Sequence, residues 1–302
     1  MPVAPVLPLR TARGVVELGG SRPWLMGVVN ATPDSFSDAP GERTVAASLE
    51  RARGLVTDGA RVVDVGGESG VTNRPHVAAD DEIARVVPVI EAVAAELDVL
   101  VSVDTYKPAV AQAAIAAGAA MVNDVSGLCD PGLADVCART GAALVLMHTR
   151  AAPKEKLLDQ GWDGRAAADV RAFLSERIAT ATARGVHREQ LVLDPGPDFG
   201  KTPSQTVEVL RALPELHELG RPLLLAVSRK DFIGVVTQRR PLERLAGTLA
   251  AVGFGASAGV HLLRLHDVRE AAEFLAVRAV LEGDEELPSD ARLAEGLRQE
   301  PR

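Results

Sequence analysis

Short apolar runs recur along the chain, each breaking abruptly into polar, glycine or proline residues and each followed by a longer segment with helical spacing. The first run, 24–30, closes on Asn30-Ala31-Thr32-Pro33-Asp34-Ser35-Phe36-Ser37-Asp38 before a helix expected over 43–58. The second, 61–65, ends in Gly66-Gly67-Glu68-Ser69 and leads to a helix over 79–97. Residues 100–103 end at Asp104-Thr105, ahead of an Ala-rich helix over 108–117. Residues 121–122 open the fourth strand, ending Asn123-Asp124-Val125-Ser126-Gly127, with Pro131 placed where proline starts a helix well. Residues 143–147 end at His148-Thr149, and a helix is expected over 163–184. Leu191-Val192-Leu193 delivers Asp194 to the end of a buried strand just before Pro195-Gly196, with a helix over 203–219. Residues 223–227 end at Ser228-Arg229-Lys230 with a helix over 242–256, and 260–265 end at His266-Asp267 with a helix finishing near 281.

Eight strand–helix units in roughly 260 residues imply parallel strands. They match a closed (β/α)8 TIM barrel, a single domain over 15–282, better than the alternative of a doubly wound open sheet. No Gly-x-Gly-x-x-Gly follows the first strand, and Gly200-Lys201-Thr202 lacks the upstream glycine of a phosphate-binding loop. Residues 1–14, with three prolines, read as a loose leader and as neither signal peptide nor membrane span; 283–302 read as a solvated tail.

Composition adds two constraints. A net charge of -8 with no block of like charges argues against a nucleic-acid surface or an anionic-membrane patch, so an anionic ligand must find a local basic site. Cys129 and Cys137 lack metal-ligand spacing and are expected as reduced thiols in a cytoplasmic protein.

Barrel enzymes build their sites at the carboxyl ends of the strands, so Asn30, Glu68, Asp104, Asn123, His148, Asp194, Lys230 and His266 should converge on one mouth. Alternation puts Arg264 and His266 on one face of the last strand and His261 on the other, which makes His261 structural. Asp34 and Asp124 read equally well as turn caps, and His148 equally well as a core histidine.

These strand-end segments, together with Ser102-Val103-Asp104-Thr105, Asp194-Pro195-Gly196, Phe199-Gly200-Lys201 and Arg264-Leu265-His266-Asp267, resemble the signatures of the dihydropteroate synthases over roughly 24–282. The resemblance implies a (β/α)8 barrel that condenses 6-hydroxymethyl-7,8-dihydropterin pyrophosphate with 4-aminobenzoate, giving 7,8-dihydropteroate and pyrophosphate. By the same likeness Asp104, Asn123, Met147, Asp194, Phe199, Lys230 and Arg264 would bind the pterin. Asn30, Lys230, Arg264 and His266 would act in catalysis, with Asn30 helping to hold Mg2+ and the pyrophosphate. Ser228 and a loop containing Thr72, Arg74 and Pro75 would face 4-aminobenzoate, loop 32–38 would close over the site, and the protein would be a cytoplasmic homodimer.

Four departures fall on the amine side. Gly70-Val71-Thr72-Asn73-Arg74-Pro75 stands where the family usually has Thr-Arg-Pro-Gly, and gapped and ungapped alignments both fit. Asp231 replaces a usual serine at a helix start that faces the substrate carboxylate in the family; Asp198 replaces a glycine and Thr149 a methionine. Two other functions compete: a non-enzymatic or altered-specificity pterin-binding paralogue, and, more distantly, a methyltetrahydrofolate-dependent corrinoid methyltransferase. Ser228-Arg229-Lys230 and Thr32-Pro33-Asp34-Ser35-Phe36 argue against the latter.

Overall fold

In the computed structural model, residues 4–31, 45–68, 76–155, 161 and 164–298 are described. The chain opens with an antiparallel hairpin, β1 (Ala4–Thr11) and β2 (Gly14–Gly20), where the sequence suggested a loose leader. The two proline positions that argued against structure, Pro5 and Pro8, are tolerated because a two-stranded ribbon leaves edges free. Leu9 and Leu18 supply its buried face.

The alternating units follow: β3 (Trp24–Asn30), α1 (Val45–Thr57), β4 (Ala60–Gly66), α2 (Ala79–Glu96), β5 (Leu100–Asp104) and α3 (Pro108–Ala116). Then come β6 (Met121–Asp124), α4 (Gly132–Thr140), β7 (Ala143–Met147), α5 (Ala166–Ala183) and β8 (Leu191–Asp194). The last third holds α6 (Pro203–Arg211), α7 (Leu213–Leu216), β9 (Leu224–Leu225), α8 (Asp231–Thr237), α9 (Leu245–Ser257), β10 (Leu262–Leu265) and α10 (Val268–Glu282). The helix expected over 203–219 is thus broken around Pro214, which supplies no backbone N–H, and α8 begins at Asp231, the helix start that the resemblance implied there.

Eight parallel strands run in the order β8-β7-β6-β5-β4-β3-β10-β9. A bridge between Leu193 and Leu223, with the Leu193 amide donating to Pro222 at 2.9 Å, joins the two ends of this sheet into a barrel. Outward residues such as Val63, Val103, Leu144 and Leu263 pack beneath the helices, while Met26, Val62, Met121, Val145, Val192, Leu224 and Leu262 fill the interior with Leu9 and Leu18 of the hairpin. Burial on both faces explains the unbroken apolar runs.

Two residues farther along four of the strands, the same inward face turns polar: Asp64 follows Val62, Asn123 follows Met121, Asp194 follows Val192, and Arg264 then His266 follow Leu262. The barrel is therefore greasy at its amino end and polar at its carboxyl end. Beyond α10, residues 283–298 are mostly exposed, although Glu285 pairs with Arg22. Among the described residues no helix is long and apolar enough to cross a membrane, and both cysteines are free.

The hairpin is pinned by two buried side chains. Arg221 donates to the carbonyls of Leu191 (3.1 Å), Pro8 (2.9 Å) and Glu189 (3.1 Å). His261 Nδ1 accepts from the Leu223 amide at 3.1 Å, so Nε2 carries the proton donated to the Pro5 carbonyl at 3.0 Å. Burial, reinforced by His217 and Arg221, lowers the His261 ring to about 4. A depressed histidine stabilises the fold fully above its ordinary value near 6.5 and loses that contribution as pH falls toward 4. Chemical unfolding at pH 7.5 and 4.5 should show the advantage of wild type over His261→Gln shrinking by about 1–2 kcal/mol at the lower pH; an unchanged difference would contradict this assignment.

Candidate active site

The polar strand ends surround a cavity of about 1140 Å³ at the carboxyl face of the barrel. Asn30, Asp104, Asn123 and Met147 line it from β3, β5, β6 and β7. Asp194 and Phe199 enter from β8 and its turn, Ser228 and Lys230 from the segment after β9, and Arg264 and His266 from β10. Ten sequence candidates thus meet in one place. Thr72, Arg74 and Pro75, and loop 32–38, lie outside the described residues.

A guanidinium organises the floor. Arg264 Nε donates to Asp64 Oδ2 at 2.7 Å and Nη2 to Asp104 Oδ2 at 2.8 Å, while Asn123 Nδ2 donates to the same Asp64 oxygen at 3.0 Å. Asp64, fully buried, was missed in the sequence because it lies inside an apolar strand; its inward phase, two residues after Val62, was the available signal. Its Oδ1 and the hydroxyl of Ser102, the paired residue on β5, have no partner among the described residues. The floor therefore retains hydrogen-bonding capacity.

Burial sets the charge states. It raises the Asp104 carboxyl to about 7 against the pull of Arg264, with Asp64 adding to the rise. Asp194 is also raised by burial, although the Gly196 amide donates to Oδ1 at 2.7 Å and Lys230 and Lys201 oppose the shift. Lys230 is lowered by burial against Asp198 and Asp194, and its Nζ lies 4.6 Å from the Phe199 ring centre. For Arg264 the neighbouring carboxylates outweigh burial and hold the guanidinium charged.

At the β10 side, His266 Nδ1 is 2.9 Å from Ser228 Oγ, which also accepts from the His266 amide at 3.3 Å. The serine proton therefore points at Nδ1, leaving Nε2–H of a neutral ring as a donor. Burial, Arg229 and Arg264 lower this ring to about 4. At the opposite rim, burial raises Glu68 but Lys107 and Lys154 outweigh it, and the carboxylate stays below its ordinary value. Glu68 pairs with Lys107 and, at 3.2 Å, with Lys154; Lys107 also reaches Glu82.

Two candidates do other work. His148 does not reach the cavity; it is fully buried between Lys201 Nζ (2.7 Å) and Asp169 Oδ2 (2.9 Å), with Phe173 edge-on at 4.8 Å. Asp124 caps its turn, accepting from the Ser126 amide (2.8 Å), the Ser126 hydroxyl (2.6 Å) and the Leu128 amide (2.6 Å).

The family described as pterin binding enzyme matches residues 26–266. Dihydropteroate synthase of Escherichia coli is 38% identical over 257 residues, covering 85% of this chain and 91% of the relative. The chain belongs to the pterin-binding enzyme family, among its dihydropteroate synthases. The Bacillus subtilis synthase is 41% identical over 249 residues, 82% of this chain and 85% of its own. Xanthomonas albilineans dihydropteroate synthase with 4-aminobenzoic acid superposes with a TM-score of 0.82 at 40% identity, covering 91% of this chain and 98% of that one. The same enzyme in complex with 7,8-dihydropteroate gives 0.77 at 42% identity, over 86% and 94%.

Set beside other dihydropteroate synthases, the two departures near α8 form one arrangement. Asp198 sits at φ 66, the left-handed region that suits the usual glycine, and its Oδ2 accepts from the Asp231 amide at 2.5 Å. Thr206 Oγ1 accepts from the Asp198 amide (3.1 Å) and donates to Oδ1 (3.0 Å). The Asp231 carboxylate, largely exposed, pairs with Arg244 at 3.1 Å.

Removing Asp64 would leave the charge of Arg264 half-paired and Asn123 without its acceptor. Asp64→Ala should destabilise the protein by about 3–5 kcal/mol in urea unfolding; a loss below about 1 kcal/mol would contradict a buried ion triad at the floor.

Proposed function

We propose that this cavity joins 4-aminobenzoate to 6-hydroxymethyl-7,8-dihydropterin pyrophosphate, forming 7,8-dihydropteroate and pyrophosphate. The observation that carries this reading is the set of buried groups on one wall: Asp104, Asn123 and Asp194 beside Lys230, above the Arg264 fork. A pterin ring presents alternating donors and acceptors along one planar edge, and carboxylates, an amide and an ammonium can satisfy all of them. Met147 and Phe199 supply apolar contact to the ring, and the guanidinium of Arg264 offers it a flat face.

In the reaction the bond between the pterin methylene carbon and the pyrophosphate oxygen breaks, and the oxygen keeps the electron pair. The nitrogen lone pair of 4-aminobenzoate forms the new C–N bond, and one N–H proton is released. Such chemistry needs a stabilised leaving group and a preorganised, water-poor cavity more than a strong base. Arg264 contributes fixed positive charge there, and neutral His266 contributes its Nε2–H.

No group of three metal-ligating side chains occurs among the described residues, and Asn30 offers one neutral oxygen at the end of β3. That donor fits a magnesium ion carried mainly by pyrophosphate oxygens and water, which would offset leaving-group charge when bound. Asn30 then orients the pyrophosphate end toward His266 and Arg264. Exposed Phe254, Val277 and Leu281 on α9 and α10, away from the strand ends, support a homodimer through those helices. Free cysteines fit a reducing cytoplasm.

Purified protein supplied with both substrates and Mg2+ should release dihydropteroate and pyrophosphate in equal amounts, and Lys230→Ala should lower kcat/KM by about 100-fold or more. Pterin binding without product at saturating 4-aminobenzoate would instead favour a non-enzymatic pterin-binding protein, the reading to which Asp198 and Asp231 would then point.

A further inference from the structure

Lys201 has no part in the reaction above, yet it borders the cavity with its ammonium buried against a full set of acceptors. It lies 2.7 Å from His148 Nδ1, 2.9 Å from the Gly196 carbonyl oxygen and 3.1 Å from the Phe199 carbonyl oxygen, with the His148 carbonyl farther off at 3.4 Å. An ammonium has three N–H donors, and the three nearest acceptors use them all. For Nδ1 to accept, His148 must carry its proton on Nε2, which faces Asp169 Oδ2 at 2.9 Å. Asp169 is held in turn by a forked contact from Arg150, at 3.1 and 2.6 Å. Burial, with Lys201 second, keeps the His148 ring neutral by lowering it to about 3.

Both carbonyls that Lys201 grips belong to the turn that shapes the cavity wall. The Gly196 amide fixes Asp194 Oδ1, and Phe199 places its ring beside Lys230. The turn has little slack. Gly196 is at φ +62, where a Cβ would lie 2.1 Å from the His148 carbonyl oxygen, so the two loops touch backbone to backbone.

We propose that Lys201 is a positioning residue for the pterin half of the site: its ammonium, oriented by His148 and Asp169, sets the 194–201 turn so that Asp194 and Phe199 meet the ring. The inference rests on the proposed synthase function. Removing the ammonium frees the turn to shift, and displacements of about 1 Å at a binding wall are worth factors near 100. Asp194 and Phe199, which meet the ring, stand on the gripped turn itself, whereas of the amine-side positions only Asp198 lies within it, tied to the Asp231 amide, and Ser228 stands on another element, so the amine side should lose less.

The groups that face Lys201 also predict a pH signature. Burial draws the ammonium down to about 7; the carboxylates of Asp194, Asp169 and Asp198 oppose this, the charge of Lys230 adds to it, and neutral His148 and the paired Arg150 complete the surroundings. Above that pH a neutral amine has one donor too few for its three acceptors.

The test is calorimetric binding of 6-hydroxymethyl-7,8-dihydropterin to wild type and to Lys201→Met at pH 6.5 and 8.5, with the KM for 4-aminobenzoate measured on both. The expected result is pterin affinity weakened roughly ten- to a hundredfold at pH 6.5, a KM for 4-aminobenzoate raised by a clearly smaller factor, and a smaller gap between the proteins at pH 8.5. Folded Lys201→Met with wild-type pterin affinity, or with both substrates weakened alike, would overturn the proposal. If Lys201→Met does not fold, the partly exposed Asp169→Ala takes its place, because it removes the carboxylate that holds the His148 proton on Nε2 and so orients Nδ1 toward the ammonium. It should weaken pterin binding by a larger factor than it raises KM, and unaltered pterin affinity would overturn the proposal equally. Wild type that binds no pterin at all would reject the synthase reading itself, an outcome separate from wild type and variant binding alike.

Discussion

One guanidinium between a buried and a half-buried carboxylate is the constraint on which the carboxyl end of this barrel depends. Arg264 reaches from the last strand to Asp64 on the second barrel strand and Asp104 on the third. Three charges in such a place are costly to desolvate, and a hydrophobic trio of equal volume would hold a barrel together as well or better. Their presence makes sense as a binding surface: one arginine keeps its charge, one carboxyl is pushed up to about 7, and an aspartate oxygen has no partner among the described residues. The apolar layer below, with Met26, Val62, Met121, Val192 and Leu262, and the hairpin plug under it carry the stability that the polar layer does not.

The polar wall is supported from behind by a second set of interactions. The Asp194 carboxylate is fixed by Gly196, Gly196 by Lys201, Lys201 by His148, and His148 by Asp169. Ser228 orders His266 in the same manner on the other side. The orientation of the polar wall is therefore delegated to neighbours on different elements.

This division explains what the sequence could reveal. Strand ends were legible because an apolar run that breaks into Asp, Asn or Lys has an unambiguous direction, which placed Asp104, Asn123, Asp194 and Lys230 at the mouth. The closed barrel followed from eight such breaks. Asp64 was hidden because a carboxylate in mid-strand offers no break, only a phase. The hairpin was hidden because a ribbon with exposed prolines looks like a leader until its two leucines find the barrel floor. His148 resembled a site residue because it ends a strand, but the position following Met147 points away from the interior. Helix α8, seven residues long, begins directly at the lysine motif, and only the likeness of Asp231 to a helix-start serine pointed to it. Lys201 belonged to a recognisable motif, yet its role depends on partners 53 residues away in the chain.

The account stands most directly on the coupling of the Arg264 fork to pterin recognition. A double-mutant cycle with Arg264→Gln and Asp64→Asn, read as the calorimetric affinity for 6-hydroxymethyl-7,8-dihydropterin, measures that coupling. Losses that overlap, with an interaction energy of about 1 kcal/mol or more, are what a single charge-organised floor predicts. Strictly additive losses, or pterin affinity indifferent to Asp64, would contradict it.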